Sequence, residues 1–285
     1  GVEYGAQWAG SFFLYIQRPE LYDAACTGSP AVAPDQAFTG TPHYCGVDVG
    51  TDSDGTVYAV AHADGDKVVV DNVEWFYPGV GKYADTDSLP FFVESDEGFD
   101  GLIVDLANFT SRFPIKKGIT DQWNGKGFSE MAVLNGLGWM DHHHYTDVDN
   151  WAIAELFTSL LREGNLVLPN IPEVHQNIKD MERIFKDKRV GDKKMYAVRA
   201  PTPAEGDVSP KGHDDIWSAV SRAVVLVYEE EIKTGRARKR DEMKDKVRTR
   251  RRGTPQDQSV RMQQKAAQQG RRGQRASSIA IRKRR

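Results

Sequence analysis

Apolar and polar positions change period several times along the chain, and each change marks an element. Residues 1–28, with Trp8, Phe12, Phe13 and Tyr15 supplying apolar surface, predict a helix. The stretch SPAVAPDQAFTGTP (29–42) is a Pro/Gly/Ser linker. Three β-rich runs follow: HYCGVDVG (43–50), TVYAVAH (56–62) and KVVVDNVEWF (67–76). The turns between them, DSDG and ADGD, carry the Asp-Gly signal of hairpins, so the runs predict an antiparallel three-strand meander.

Beyond the meander the period alternates between helix and strand. FDGLIVDLANFT (99–110) sets Leu102, Ile103, Leu106 and Phe109 on one helical face. PIKKGITDQW (114–123) predicts a strand running into Asp121, followed by a helix over 127–137 and a strand near WMDHHHYTD (139–147). A helix over 149–164 starts at Asp149 and stops at Gly164. NLVLP is a short strand, EVHQNIKDMERIF (173–185) a helix, and KRVGDKKMYAVRAP (188–201) a hairpin. The last helix, in KGHDDIWSAVSRAVVLV (211–227), sets Ile216, Val220, Ala223, Val224 and Val227 behind His213, Asp214 and Asp215. Antiparallel strands followed by alternating helices and strands predict an α/β fold, a mixed sheet with helices on its faces. There are no internal repeats.

Charge divides the chain. Residues 233–285 hold 20 of the 38 Lys/Arg and 4 of the 41 Asp/Glu, a net of +16. Residues 1–232 keep 18 basic and 37 acidic residues, a net of −19. The basic segment, rich in Arg, Gln, Gly and Ser, has the composition of a tail that is disordered when free and that binds nucleic acid or an acidic protein surface. Two cysteines, Cys26 and Cys45, exclude a disulfide framework and suit an intracellular protein. No run is long and apolar enough to span a membrane, and no signal peptide opens the chain. Gly1 rather than Met at the start reads as a piece of a longer protein.

Three carboxylate positions carry the candidate chemistry. Asp48 interrupts an apolar strand, Asp121 ends another, and Asp214 and Asp215 open a helix. Helix capping alone would explain one of the last two. With the first and fourth strands adjacent and the last helix packed across them, all three positions converge at one end of the sheet. Carboxylates held together repel one another unless cations bind, and all-oxygen sites suit Mg²⁺ or Mn²⁺. Two such ions about 4 Å apart can activate water and stabilise the leaving oxygen in phosphodiester hydrolysis. His213 beside them is either a proton relay behind the metal ligands or simply a helix-start residue.

Other features are weaker. Asp52 and Asp54 read as turn residues, because a calcium loop would need ligands where Gly50 and Ala61 stand. DHHHY (141–145) lacks Cys partners, and consecutive residues of a strand alternate faces, which excludes a shared zinc. GVGKY (79–83) lacks the spacing and the Ser/Thr of a phosphate loop. Arg189, Lys193, Lys194 and Arg199 on the hairpin are either DNA-backbone contacts or charges guarding a solvated edge.

The order GVDVG…DGT, GITDQWNGKGF, NWAIAELFTSLLREGNLVLPN and GHDDIWSA resembles the C-terminal nuclease domain of the tailed-bacteriophage terminase large subunit. GVEYGAQW is similar to the stretch joining that family's ATPase motor to its nuclease. The resemblance covers roughly residues 1–232. It implies an RNase H-like fold and metal-dependent endonuclease activity on concatemeric viral double-stranded DNA during packaging. The family's acidic positions fall on Asp48 and Asp121, and its His-Asp-Asp element on His213, Asp214 and Asp215. Two Mg²⁺ or Mn²⁺ ions are implied as cofactors. Implied partners are DNA, a portal, a small terminase subunit and an ATPase motor upstream of Gly1, in the cytoplasm of an infected host. The domains are then a junction (1–42), the nuclease (43–232) and the basic tail (233–285). Ser218 stands where many relatives carry a further acidic residue, which leaves open whether Asp214 or Asp215 binds metal directly. Alternative readings are a Holliday-junction resolvase or transposase core, a sugar-kinase-like ATPase (on GVDVGTDSDGT), and a scaffold carrying a functional tail.

Overall fold

The computed structural model describes residues 14–29, 40–52, 54–96, 98–121, 125–201 and 214–236. The chain divides into two units, Gly1–Ile232 and Lys233–Arg285, and the sheet with its helices belongs to the first. Helix α1 (Pro19–Ala25) precedes β1 (His43–Asp48), β2 (Thr56–Asp64) and β3 (Lys67–Phe76). A small hairpin of β4 (Val93–Ser95) and β5 (Gly98–Asp100) leads to α2 (Leu102–Thr110), β6 (Ile115–Thr120), α3 (Gly125–Leu134) and β7 (Met140–His142). Then come α4 (Asp147–Glu163), β8 (Leu166–Val167), α5 (Pro172–Asp180), the hairpin β9 (Glu182–Val190) and β10 (Lys193–Arg199), and α6 (Asp215–Val227). Six strands form one mixed sheet in the order β7-β6-β1-β2-β3-β8. β1 to β3 pair antiparallel, as the Asp-Gly turns predict, whereas β6 lies parallel to β1 and β7 parallel to β6.

Both faces of the sheet are covered, which explains why β1 and β2 read as continuous apolar runs rather than alternating ones. Tyr44, Val57, Ala59 and Ala61 pack on the face shared with α4, α5 and α6. Cys45, Val47, Tyr58 and Val60 pack on the opposite face, with α2 and α3. Ile216, Val220 and Val227 of α6 are fully buried; each such side chain contributes about 1.5–3 kcal/mol. The helix also lies unusually close to the strand beneath it. A Cβ on Gly46 would stand 2.1 Å from the Ala219 carbonyl oxygen and 2.5 Å from the Ala223 nitrogen, so only glycine lets α6 settle on β1.

Several sequence expectations change at their boundaries. The first helix covers only Pro19–Ala25, with proline in its first turn; Leu14 instead bridges Glu182 in extended form, and residues 1–13 lie outside the described residues. The helix expected over 173–185 stops at Asp180, because Met181 turns to ψ 140° and Glu182 onward pairs with β10. The strand expected over 139–147 is confined to Met140–His142. The N-cap of α4 is Thr146, whose side chain accepts from the Asp149 N–H while the Asp149 carboxylate accepts from the Thr146 N–H. Gly164, in the left-handed conformation at φ 68°, ends that helix as expected.

Candidate active site

The strand period positions the first two carboxylates. Side chains alternate along β1, so Asp48 shares a face with Gly46, the face on which α6 lies. β6 runs parallel to β1 with Val47 opposite Thr120, so the next residue of each strand, Asp48 and Asp121, leaves the sheet at the same end. Asp214 and Asp215 open α6 beside them. All four carboxylates line one cavity of about 300 Å³, together with Asp54. The structure thus brings together every carboxylate expected from the sequence to hold metal.

Arg222, which sequence reasoning missed, ties the cluster together. Its Nη1 donates to Asp48 Oδ1 at 2.7 Å and to the Val47 carbonyl at 2.9 Å, and its Nη2 donates to Asp121 Oδ2 at 3.0 Å. The guanidinium lies 5.7 Å from the Tyr145 ring centroid, within cation–π reach. Burial pulls the arginine pKa down, but Asp48 and Asp121 outweigh that and hold it above the ordinary value. One signal in the sequence could have found it. Arg222 follows Asp215 by seven residues, two helical turns, and is the lone charge in an otherwise apolar helical run.

Asp214, at the N-cap of α6, makes no side-chain capping bond to the helix it opens. Asp214 Oδ2 instead accepts from Arg199 Nη1 at 3.1 Å. Asp215 is buried, and its Oδ2 accepts from the Gly55 N–H at 3.0 Å and the Tyr77 hydroxyl at 3.3 Å. Gly55 is required for that contact, since a Cβ there would meet the Tyr77 ring at 2.3 Å. Burial, with Asp48, Asp214 and Asp54 nearby, pushes the Asp215 carboxyl up to about 8 against the opposing Gly55 hydrogen bond. Burial likewise pushes Asp48 up to about 6; Asp121 and Asp214 add to that, and Arg222 opposes it. Both carboxyls are raised first by burial and then by the carboxylates around them.

The rim of the cavity is built by α4 and the β9–β10 hairpin. Lys186 and Lys188 pair with Asp147, and Lys193 pairs with Glu155 at 2.9 Å. Lys186 and Arg199 line the cavity itself. Of the expected hairpin cations, Lys193 and Arg199 are engaged in ion pairs, Lys194 lies 3.9 Å from Asp187, and Arg189 is exposed. His213 lies outside the described residues. GVGKY is not a phosphate loop here either: Lys82 pairs with Asp100 and Asp105.

The donor set fits hard divalent cations: carboxylate oxygens alone, from three separate elements, with two carboxyls held up by burial and mutual repulsion. Asp48, Asp121, Asp214 and Asp215 are the groups that could hold them, and the Arg222 guanidinium stands between the first two.

No family model and no curated protein matches this chain. Several solved structures are similar to it. The large terminase nuclease of thermophilic phage G20c with bound magnesium shares 14% identity over 72% of this chain and 94% of that one, at TM-score 0.49. The Thermus phage P74-26 large terminase nuclease domain shares 14% over 73% and 92%, at TM-score 0.45. The HK97 bacteriophage large terminase shares 14% over 71% of this chain but only 42% of its own, at TM-score 0.49. These solved structures, to which this chain is similar, are large terminases of phages or the nuclease domains of such proteins.

Proposed function

We propose that this chain is the nuclease part of a phage large terminase, cutting concatemeric double-stranded DNA during genome packaging by metal-dependent phosphodiester hydrolysis. The observation that carries the reading is the meeting of Asp48, Asp121, Asp214 and Asp215 in one cavity at the end of β1 and β6. The order of the sequence motifs supports the same family. Two Mg²⁺ or Mn²⁺ ions would supply a water of lowered pKa and Lewis-acid stabilisation of the charge that develops on phosphate. Asp48 and Asp121 are held in fixed orientation by Arg222, and Asp215 by Gly55 and Tyr77, so the carboxylates are positioned before substrate arrives. Lys186 and Arg199 offer positive charge at the cavity wall to a DNA phosphate, with Arg189, Lys193 and Lys194 further out on the hairpin. An ATPase motor in the same protein, a portal and a small terminase subunit complete the proposed assembly, in the host cytoplasm.

Plasmid nicking tests the reading. The parent should convert supercoiled plasmid to nicked and linear forms with Mg²⁺ or Mn²⁺ and not with EDTA. Asp48→Asn and Asp121→Asn should each abolish cutting with the circular-dichroism spectrum unchanged. Should both variants cut as well as the parent, the assigned site is wrong. Equal cutting of linear and strongly preferred cutting of branched substrates separate a terminase from a junction resolvase.

A further inference from the structure

A second cluster lies on the opposite face of the same strands. His43 opens β1, His62 lies near the end of β2, and the two are direct register partners. On β3, Val60 opposes Asn72 and Ala61 opposes Val70, which leaves Asp71 as the extra residue of a β-bulge. Bulges re-aim side chains, and this one brings Asp71 to the two imidazoles. His62 Nδ1 lies 2.8 Å and His43 Nε2 3.5 Å from the same oxygen, Asp71 Oδ2. One ligand atom from each of the three residues lies within 4.8 Å of the others. His43 and Asp71 are buried, and the His62 side chain keeps 18% of its exposure, so solvent reaches one side. The active-site carboxylate Asp48 stands at the other end of β1, five residues or roughly 17 Å away.

We propose that His43, His62 and Asp71 form a transition-metal site, best suited to Zn²⁺, distinct from the carboxylate cavity. Three observations support it. The donors are two imidazoles and a carboxylate, a set that selects zinc-like ions over Mg²⁺. The two imidazoles stand 3.5 and 2.8 Å from the Asp71 oxygen, either side of the roughly 3.3 Å between ligand atoms of a tetrahedral site with bonds of about 2.0–2.1 Å, and an ion would replace the His62–Asp71 hydrogen bond at the shorter spacing. The third is the orientation of His43, whose Nδ1 lies 2.8 Å from the Thr41 carbonyl oxygen. An Nδ1–H donating there leaves Nε2 as the lone-pair nitrogen of the neutral ring, facing a carboxylate oxygen. A cation between that nitrogen and the carboxylate oxygen would bind both, and a backbone carbonyl behind the ring is the usual support of a metal-bound histidine. Solvent on the His62 side supplies the fourth ligand. The ion would then staple β1, β2 and β3 from the face that α6 does not cover.

Calorimetric titration of Zn²⁺ into the tag-free chain tests the proposal, in an Asp121→Asn background that weakens the carboxylate cavity. One equivalent should bind, and His62→Gln and Asp71→Asn should each weaken it by at least about 100-fold, the upper end of what losing an outer-shell partner costs. The thermal midpoint should rise with Zn²⁺ in this background and not in His62→Gln. Unchanged affinity in both variants, or no binding at all, would overturn the site. So would loss of binding on replacing the exposed His142, His143 and His144 instead. Should the variants fail to fold, X-ray absorption of the zinc-loaded parent decides: two nitrogen ligands of imidazole type support the site, and an all-oxygen shell overturns it.

Discussion

Without its guanidinium, Arg222 would leave Asp48 and Asp121 facing each other across a shared cavity. Breaking a buried ion pair from one side costs about 3–5 kcal/mol, because the remaining charge stays desolvated. Arg222→Gln should therefore lose about 3 kcal/mol of stability in EDTA, measured by urea denaturation, and regain much of it with Mg²⁺. It should also bind Mg²⁺ more tightly than the parent, since no guanidinium competes for the carboxylates. Equal stability in EDTA would show that the guanidinium does not compensate them. Asp215 gives a pH dependence of definite sign. Its carboxyl sits at about 8 in the folded chain and near 4 when unfolded. Between those values the folded state binds the extra proton, so this contribution is full below about pH 4 and is lost as pH rises through about 8. In EDTA the thermal midpoint should fall across that window, and Asp215→Asn should flatten the fall.

At the scale of elements, the site depends on how closely α6 lies on β1. Gly46→Ala would put a methyl carbon where the helix backbone now is, 2.1 Å from the Ala219 carbonyl. The helix must move, and Asp215 and Arg222 move with it. Overpacking of this kind costs about 1–3 kcal/mol, and cleavage should fall by far more than that loss of stability explains. Thr146→Ala is the control at the same scale. It removes the cap of α4, should cost about 1 kcal/mol, and should leave cleavage per folded molecule unchanged. If both variants lose activity only in proportion to folded fraction, the α6–β1 contact does not position the site.

Across the whole molecule the charge is divided, with −19 on residues 1–232 and +16 on 233–285. An acidic body repels duplex DNA, so a basic tail that neutralises phosphates would offset the repulsion and release counterions. The body keeps its contacts past Val227: Ile232 is buried, and Glu231 accepts from the Tyr44 hydroxyl and pairs with Lys116 at 3.0 Å. A chain ending after Arg236 should therefore fold and cut, but bind duplex more weakly and with a shallower dependence on salt. Unchanged affinity and slope in a fluorescence-anisotropy titration would point to a protein surface as the tail's partner.

Local physics accounts for what was legible in the sequence. The Asp-Gly turns and the two-sided burial of the central strands make β1, β2 and β3 readable to within a residue or two. Asp48, Asp121 and the Asp214–Asp215 pair stand out as charges that interrupt apolar runs, which happens where a site is built into a core. Pairings between distant segments carry no local mark. Ile184 and Phe185 continue the helical spacing of Val174 and Ile178, and only the partner strand β10 turns them into a strand. The capping role that Asp214 and Asp215 could have served was taken from them by Arg199, Gly55 and Tyr77, contributed by segments far away in the chain. In the sequence Arg222 is marked only as the lone charge of an apolar helical run; it bridges Asp48 and Asp121 because the parallel β1–β6 pairing puts both beneath it. The sequence by itself determined which elements form and which charges interrupt them, since propensity and period act over a few residues. Which charges meet was decided only by the tertiary structure, because a buried carboxylate takes its partner from whatever the fold brings within hydrogen-bond distance.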